Sequence, residues 1–330
     1  MKTSYIYSVS RVNALSQFLL TKTDIDRLLV ADKGEDMQSA LKETYLAPYI
    51  VRVPNEDVSL AIEQTLIDAK HLVHRLSPNS DSDMFRIMWI QYDIHNLRVF
   101  AKATASKLAY EECGAFLSHR GVYDPEYLYS CVEKGSLDSL QPGWQKAYEK
   151  ALQTVAVGDI HVVDGIFDEL YFTTSKAILN VVGDQFMKSY LSTYIDLYNL
   201  KSRLRHLKNE GVDFKPVFVD GGSFTADKIE TAEDVYTIFS RFGGSDFWKE
   251  AIEYYQATGN TTSIDARSGE FMLVFAKEGS YDMFSPASLV LYYLKCRQAA
   301  ANIRIIVVGI NSGMKESAIR ANLRMAYVND

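Results

Sequence analysis

Proline, glycine and cysteine are all scarce in this chain. Its 330 residues include 7 prolines, 18 glycines and 3 cysteines. So few prolines and glycines disfavour disorder and turn-rich all-β folds, and helix is therefore the expected structure. The cysteines, Cys113, Cys131 and Cys296, lie far apart, so they indicate neither a disulfide framework nor a four-ligand zinc site.

Long apolar runs are missing as well. No uncharged apolar stretch approaches the roughly 18–20 residues that span a bilayer, and the N-terminus does not resemble a signal peptide. We therefore expect a soluble, cytoplasmic protein with no transmembrane segment. The net charge of −7 argues against nucleic acid as the main partner, because duplex binding needs a dense basic surface. Residues 285–330 nevertheless carry six Lys and Arg against two acidic residues, an asymmetry that favours a protein partner.

Motifs for catalysis are hard to find. The phosphate-binding pattern Gly-x4-Gly-Lys-[Ser/Thr] does not occur, so we predict neither a nucleotide site nor another cofactor. The best metal candidate is Asp164 with Asp168, which share a helix face and could hold Mg²⁺ as in some all-helical enzymes. An opposing cluster is limited to Asn180 and Asp184, so we predict no metal site and no catalytic residue. The preferred hypothesis is that Asp164 caps a helix whose inner face holds Ile166, Phe167, Leu170 and Tyr171.

Four segments have apolar residues at the three-and-four spacing of an amphipathic helix. Their apolar stripes begin at Tyr5, Phe85, Met187 and Leu289. The fourth includes 302–308, whose β-branched residues alone would favour a strand. Its apolar face nevertheless continues without a break from about Pro286, so we predict one long helix with this proline in its first turn.

Two of these segments also match each other in sequence. Asp93-Ile-His-Asn-Leu-Arg98 aligns with Asp196-Leu-Tyr-Asn-Leu-Lys201 at an offset of 103 residues. Downstream, Arg120-Gly-Val-Tyr123 aligns with Gly221-Gly-Ser-Phe224 at an offset of 101. The last segment repeats the pattern more loosely, with Leu294-Lys295 in place of Leu97-Arg98. Two matches at nearly one offset indicate duplication.

The duplication predicts an all-α fold of three similar repeats, each about 100 residues long. We expect them at 1–110, 111–215 and 216–330, and the N-terminal helix, 1–20, could pack with the C-terminal repeat. Such units cannot bury their apolar faces alone. Closure with pseudo-threefold symmetry would solve this problem and would leave an opening on the axis.

Several segments resemble the C subunit of archaeal and bacterial V/A-type ATPases, a family related to the d subunit of the eukaryotic vacuolar enzyme. The similar segments are Tyr5–Val12, Tyr92–Arg98, Asp164–Asp168, Asp196–Lys201, Asn302–Gly309 and Ile319–Leu323. One departure is Gly309-Ile-Asn-Ser-Gly313, where the family usually has Gly-Lys before an Asn-Gly turn. The order and spacing of the similar segments cover nearly the whole chain.

This resemblance implies a funnel of three helical domains that caps the membrane proteolipid ring and accepts the tip of the D/F rotor shaft. Such a protein transmits torque, has no catalytic site, and lies peripherally on the cytoplasmic face of the membrane. Our candidate partner-binding residues are the basic side chains Arg98, Lys102, Arg203, Arg205 and Arg297.

Other interpretations stay open. Asp93, Asn96, Asp196 and Asn199 occupy equivalent positions in duplicated units, which favours a structural role in inter-helix hydrogen bonds. Two alternative functions are a generic helical adaptor and a Mg²⁺-dependent enzyme that uses Asp164 and Asp168.

Overall fold

The computed structural model describes residues 5–31, 34–78, 82–208, 218–225 and 229–329. Within these ranges the chain is helical, and its β pairing is limited to an isolated bridge between Thr21 and Asn329. The prediction of an all-α fold is confirmed.

The α-helices are numbered in chain order. They are α1 (Ile6–Ser16), α2 (Lys22–Val30), α3 (Glu35–Leu41), α4 (Ala47–Ile50), α5 (Val58–Leu76), α6 (Arg86–Ser106), α7 (Tyr110–Cys113), α8 (Pro125–Glu133), α9 (Trp144–Ala156), α10 (Ile160–Val182), α11 (Gln185–Lys208), α12 (Ala232–Phe239), α13 (Ser245–Thr258), α14 (Thr262–Gly279), α15 (Ala287–Asn311) and α16 (Glu316–Asn322). Short 3₁₀ turns lie at Pro54–Glu56, Ser82–Phe85, Gly114–Phe116 and Leu137–Ser139.

Short polar side chains start several of these helices. At α2, the Thr21 hydroxyl accepts from the Asp24 N–H while the Asp24 carboxylate accepts from the Thr21 N–H. Thr231 and Asp234 make the same reciprocal pair at α12. Each pair satisfies backbone donors that have no partner inside the helix, so these residue types fix where the helix begins.

Helix α15 is the segment on which strand propensity and helical periodicity disagreed. It runs without a break from Ala287 to Asn311, directly after Pro286. The predicted apolar face is buried at Leu289, Tyr292, Tyr293, Cys296, Ala299, Ala300, Ile303 and Ile306. The prediction of one long helix is confirmed, because burial of a continuous stripe outweighs the weak β preference of branched side chains.

The described residues form two compact units. One is drawn from Met1–Asn79 and Gly269–Asp330, and the other from Ser80–Ser268. In the first unit, α15 packs against α1, α2, α5 and α16. In the second, α6 packs against α8, α9 and α10. The repeat boundaries expected from the sequence are a different division of the chain, and they stay a prediction.

The core of the second unit contains the inner face of α10. Ile166, Phe167 and Leu170 are buried there, as predicted. The expectation that Asp164 caps this helix is wrong, because α10 already begins at Ile160. Asp164 therefore lies just over one turn inside the helix and its carboxylate is available for contacts with other helices.

Candidate functional site

Three buried asparagines, one each on α6, α11 and α15, make the same pair of hydrogen bonds. Asn96 Nδ2 donates to the Ser118 carbonyl at 2.8 Å, and its Oδ1 accepts from the Ser118 N–H at 2.9 Å. The pairs, which we call the α6, α11 and α15 anchors, are Asn96 with Ser118, Asn199 with Val219, and Asn302 with Arg324. Each anchor ties both backbone groups of one loop residue to a long helix.

The asparagines are evenly spaced along the chain. The interval is 103 residues from Asn96 to Asn199 and again from Asn199 to Asn302. The first interval is the offset predicted from the sequence. The second interval aligns Asn302 with Asn96 and Asn199. The sequence comparison had instead aligned Leu294-Lys295 with Leu97-Arg98. The sequence comparison missed Asn302, and the repeated interval is the signal that could have found it.

Two anchors carry an additional carboxylate. Asp93 accepts from the N–H groups of Val122 and Tyr123 at 2.7 and 3.0 Å. Asp196 accepts from the N–H and the hydroxyl of Ser223, both at 2.7 Å. Burial raises the pKa of Asp196, while its hydrogen bonds to Ser223 oppose that shift. Both loops are thus held to their helices by charge-assisted hydrogen bonds.

The glycines that aligned in the sequence lie directly against these carboxylates. A Cβ atom at Gly121 would collide with the Asp93 carboxylate, and a Cβ at Gly222 would collide with that of Asp196. Glycine is therefore needed at both positions because the backbone passes so close to a buried, hydrogen-bonded side chain.

The residue two positions after each asparagine is basic and faces a carboxylate. The ion pairs are Arg98 with Asp168 at 2.7 Å, Lys201 with Asp265 at 2.6 Å, and Arg304 with Glu63 at 3.7 Å. All these side chains are partly exposed, so each pair is worth at most about 1 kcal/mol.

The carboxylates of α10 have cationic partners within the chain. Besides the Arg98 pair, Lys102 Nζ lies 2.9 Å from Asp164 Oδ1. The Tyr198 hydroxyl donates to Asp168 Oδ2 at 2.9 Å, and burial together with that carboxylate raises the pKa of Tyr198. Two positive charges beside Asp164 and Asp168 would compete with Mg²⁺, which weakens the enzyme alternative.

The structure also places the remaining candidates for partner binding. On α11, Arg203 donates to the Glu230 carbonyl at 3.2 Å, and Arg205 donates to the Thr261 hydroxyl at 3.1 Å. Arg297 is an exposed residue of α15. The structure thus groups Arg98 with Lys102 on α6, and Arg205 with Lys201 beside Asp265. Contact of any of them with a partner stays a prediction.

Comparison with known proteins identifies the family. The sequence profile of the ATP synthase (C/AC39) subunit family matches residues 8–322. This chain belongs to that family. The resemblance predicted from the short segments is therefore confirmed for nearly the whole C/AC39 chain.

The C/AC39 chain is similar in sequence to proteins from two kinds of ATPase. It is 22% identical to the C subunit of the A-type ATP synthase of Thermococcus kodakarensis, over 96% of this chain and 90% of that protein. It is 22% identical to the corresponding protein of Methanocaldococcus jannaschii, over 97% and 86%. It is 20% identical to the C subunit of the V-type sodium ATPase of Enterococcus hirae, over 94% of both. Of the helices that the structure describes, none is long and apolar enough to cross a membrane.

Proposed function

We propose that this C/AC39 chain is the non-catalytic central-stalk socket of a rotary V/A-type ATPase. It would join the D/F shaft to the membrane proteolipid ring on the cytoplasmic side and transmit torque in ion transport or ATP synthesis. The observation that carries this proposal is the match over residues 8–322, with relatives named as the C subunits of A-type and V-type enzymes.

The anchors support the further proposal of three helical repeats arranged as a pseudo-threefold funnel. An asparagine that binds both backbone groups of a loop residue recurs at the same interval, and each is followed two residues later by a basic side chain. Independent elements would have no reason to share this pattern and spacing. Duplication of one unit accounts for all three.

The same contacts suit a part that transmits torque. A joint between shaft and ring couples them only if its loops do not yield under load. At the α6 and α11 anchors each loop is held by two bonds to an asparagine and further bonds to an aspartate. Asp93 and Asn96 are fully buried, so water cannot readily replace these bonds.

Co-purification tests the assignment. The tagged full chain is captured at moderate salt from membranes of its own source, and the proteins recovered with it are identified by mass spectrometry. Recovery of shaft and proteolipid subunits is the expected result. Recovery of neither, from membranes known to contain the complex, would exclude the socket and leave the adaptor as the better hypothesis.

Charge reversal tests two of the basic candidate residues on α11. The double variant Arg203→Glu/Arg205→Glu should recover less of the shaft than the unchanged chain. The matched control is Lys150→Glu/Lys249→Glu, which changes the net charge equally at two exposed lysines of the same unit. Circular dichroism verifies that both variants fold. Equal losses in both variants would mean that net charge, and not Arg203 and Arg205 themselves, determines recovery.

A further inference from the structure

Each long helix that carries an anchor packs against one short helix. Helix α6 packs against α8, α11 against α12, and α15 against α2. The short helices α8, α12 and α2 have 9, 8 and 9 residues, and they begin at the side-chain caps Asp124, Thr231 and Thr21. The residues four and seven positions after each cap are buried: Leu128 and Cys131, Val235 and Ile238, and Ile25 and Leu28. Helix α2 is thus built like α8 and α12.

The carboxylates that face the long helices are evenly spaced along the chain. Glu63 on α5, Asp164 on α10 and Asp265 on α14 follow one another at intervals of 101 residues. Their basic partners are Arg304 at 3.7 Å, Arg98 at 3.4 Å and Lys201 at 2.6 Å. The residue before each carboxylate is fully buried: Ile62, Val163 and Ile264. Helix α5 therefore corresponds to α10 and α14, although it precedes its long helix in the chain.

The route from the anchor to the short helix differs at α15. From its anchored residue, the chain reaches the cap of α8 after 6 residues and the cap of α12 after 12. At the α15 anchor the chain continues from Arg324 to Asn329, which forms an isolated parallel β-bridge with Thr21, the cap of α2. The Asn329 carbonyl accepts from the Lys22 N–H at 2.9 Å. Hydrogen bonds therefore lie where the other two anchors have a peptide connection.

Residues 323–329, which we call the strap, are held along their length. The α15 anchor binds the start of the strap. Gln298, which is buried one turn before the anchor asparagine, donates to the Ala326 carbonyl. At the other end, Asn329 Nδ2 donates to the Ser16 carbonyl at 2.7 Å. Helix α15 and the end of α1 thus hold the strap against the start of α2.

We propose that α15, the strap and residues 21–76 form the third repeat, and that the strap takes the place of a peptide connection to α2. The repeats are then 86–182, 185–279, and 287–329 together with 21–76. This division differs from the one expected from the sequence, because the two halves of the third repeat are far apart along the chain. It depends on the three repeats proposed above and not on a role in a rotary ATPase.

Hydrogen–deuterium exchange of the full chain, measured by mass spectrometry, tests the role of the strap. Asn302→Ala removes both hydrogen bonds that hold the start of the strap. We expect the α2 amides to exchange about tenfold faster or more, because two hydrogen bonds from a buried side chain are lost, while exchange in α8 stays unchanged. Unchanged exchange in α2 would overturn the proposal.

Two asparagine variants are the controls for exchange. Asn322→Ala, at an exposed residue of α16 in the same unit, should leave exchange in α2 unchanged. Asn96→Ala should accelerate exchange in α8 and leave α2 unchanged, because α8 corresponds to α2 in another repeat. Equal acceleration of α2 in Asn302→Ala and Asn322→Ala would show that the strap does not hold α2.

Circular permutation tests the order of the repeats. The permuted chain begins at Ser80, joins residue 330 to residue 1 by a flexible linker, and ends at Asn79, so that every repeat is continuous. A linker of about 15 residues spans about 20 Å. This length is sufficient because Asn329 contacts Ser16, the last residue of α1, and that helix is about 16 Å long.

The matched control has the same linker but is opened between Gly158 and Asp159, inside the first repeat. This opening separates α9 from α10, which pack together. We expect the chain that begins at Ser80 to keep the urea midpoint of the unchanged chain, and the control to unfold at a midpoint lower by about 0.5–1 M. Equal losses in both permuted chains would contradict the proposed repeats.

The exchange experiment uses the unpermuted chain, so it decides the proposal even if a permuted chain fails to fold. Both experiments use the isolated chain. Their results are therefore independent of co-purification with shaft and ring subunits, which tests the proposed role in a rotary ATPase.

Discussion

Replacing Asn96 by alanine should strongly destabilise the unit formed by Ser80–Ser268. The Asn96 side chain is 0% exposed and bonds both the carbonyl and the N–H of Ser118. Alanine would leave these two backbone groups buried without partners, and each unsatisfied group costs about 1–3 kcal/mol. Partial entry of water would recover some of this cost. We therefore expect the free energy of unfolding to fall by about 2–4 kcal/mol.

Tryptophan fluorescence during urea unfolding measures this change in the relevant unit. The tryptophans of the chain, Trp89, Trp144 and Trp248, all lie within Ser80–Ser268. Asn180→Ala is the matched control, because Asn180 is exposed on α10 in the same unit. The control should change stability by no more than about 0.5 kcal/mol. If Asn96→Ala costs no more than the control at an unchanged m-value, the hydrogen bonds of the α6 anchor do not stabilise the unit.

Two further predictions concern the carboxylates. Gly121→Ala and Gly222→Ala should each cost about 1–3 kcal/mol, because the new Cβ displaces a carboxylate from charge-assisted hydrogen bonds. Gly114→Ala is the control, because its Cβ would meet no atom within 4 Å, and it should cost much less. Urea unfolding measures the three changes in stability. Equal losses of stability in all three variants would show that the collision with the carboxylate does not occur. Because burial raises the pKa of Asp196 above its ordinary 3.8, the folded chain holds that proton more tightly than the unfolded chain. The stability of the unchanged chain relative to Asp196→Asn should thus be greatest below pH 3.8 and fall as pH rises through the folded-state pKa. Urea unfolding of both chains at several pH values measures this difference in stability. A difference that rises with pH would show that the pKa of Asp196 is lowered, and not raised, by folding.

The long helices were predictable because each buries a continuous apolar stripe, and burial imposes helical spacing on the sequence. In helix α15 the helical periodicity gave the correct prediction even though a run of β-branched residues favoured a strand. The start of α10 was not predictable from Asp164, because a polar residue inside a helix resembles a cap in the sequence. Only the position of Ile160 in the folded chain shows that the helix begins earlier.

The sequence predicted the side chains of two anchors but not the backbone groups that they bind. Asp93 and Asn96 matched Asp196 and Asn199, but their partners are backbone groups, which every residue has, so no sequence pattern could identify them. At α15 the aspartate is replaced by Ala299, and the pattern that aligned the first two helices is reduced to an asparagine and a basic residue. Such a short pattern does not stand out within one helix until its spacing from the others is measured.

The ion pairs show why the match at α15 was the hardest to recognise. Arg98 pairs with Asp168 and Lys201 with Asp265, so both cations find their carboxylates 70 and 64 residues further along the chain. Arg304 instead pairs with Glu63 of α5, far before it in sequence. Helix α5 packs against α15, so the carboxylate that faces Arg304 lies on a helix that precedes it in the chain. A search for repeats in one direction along the sequence cannot find this pairing, because α5 and α15 belong to a unit formed by two separate stretches of the chain, Met1–Asn79 and Gly269–Asp330.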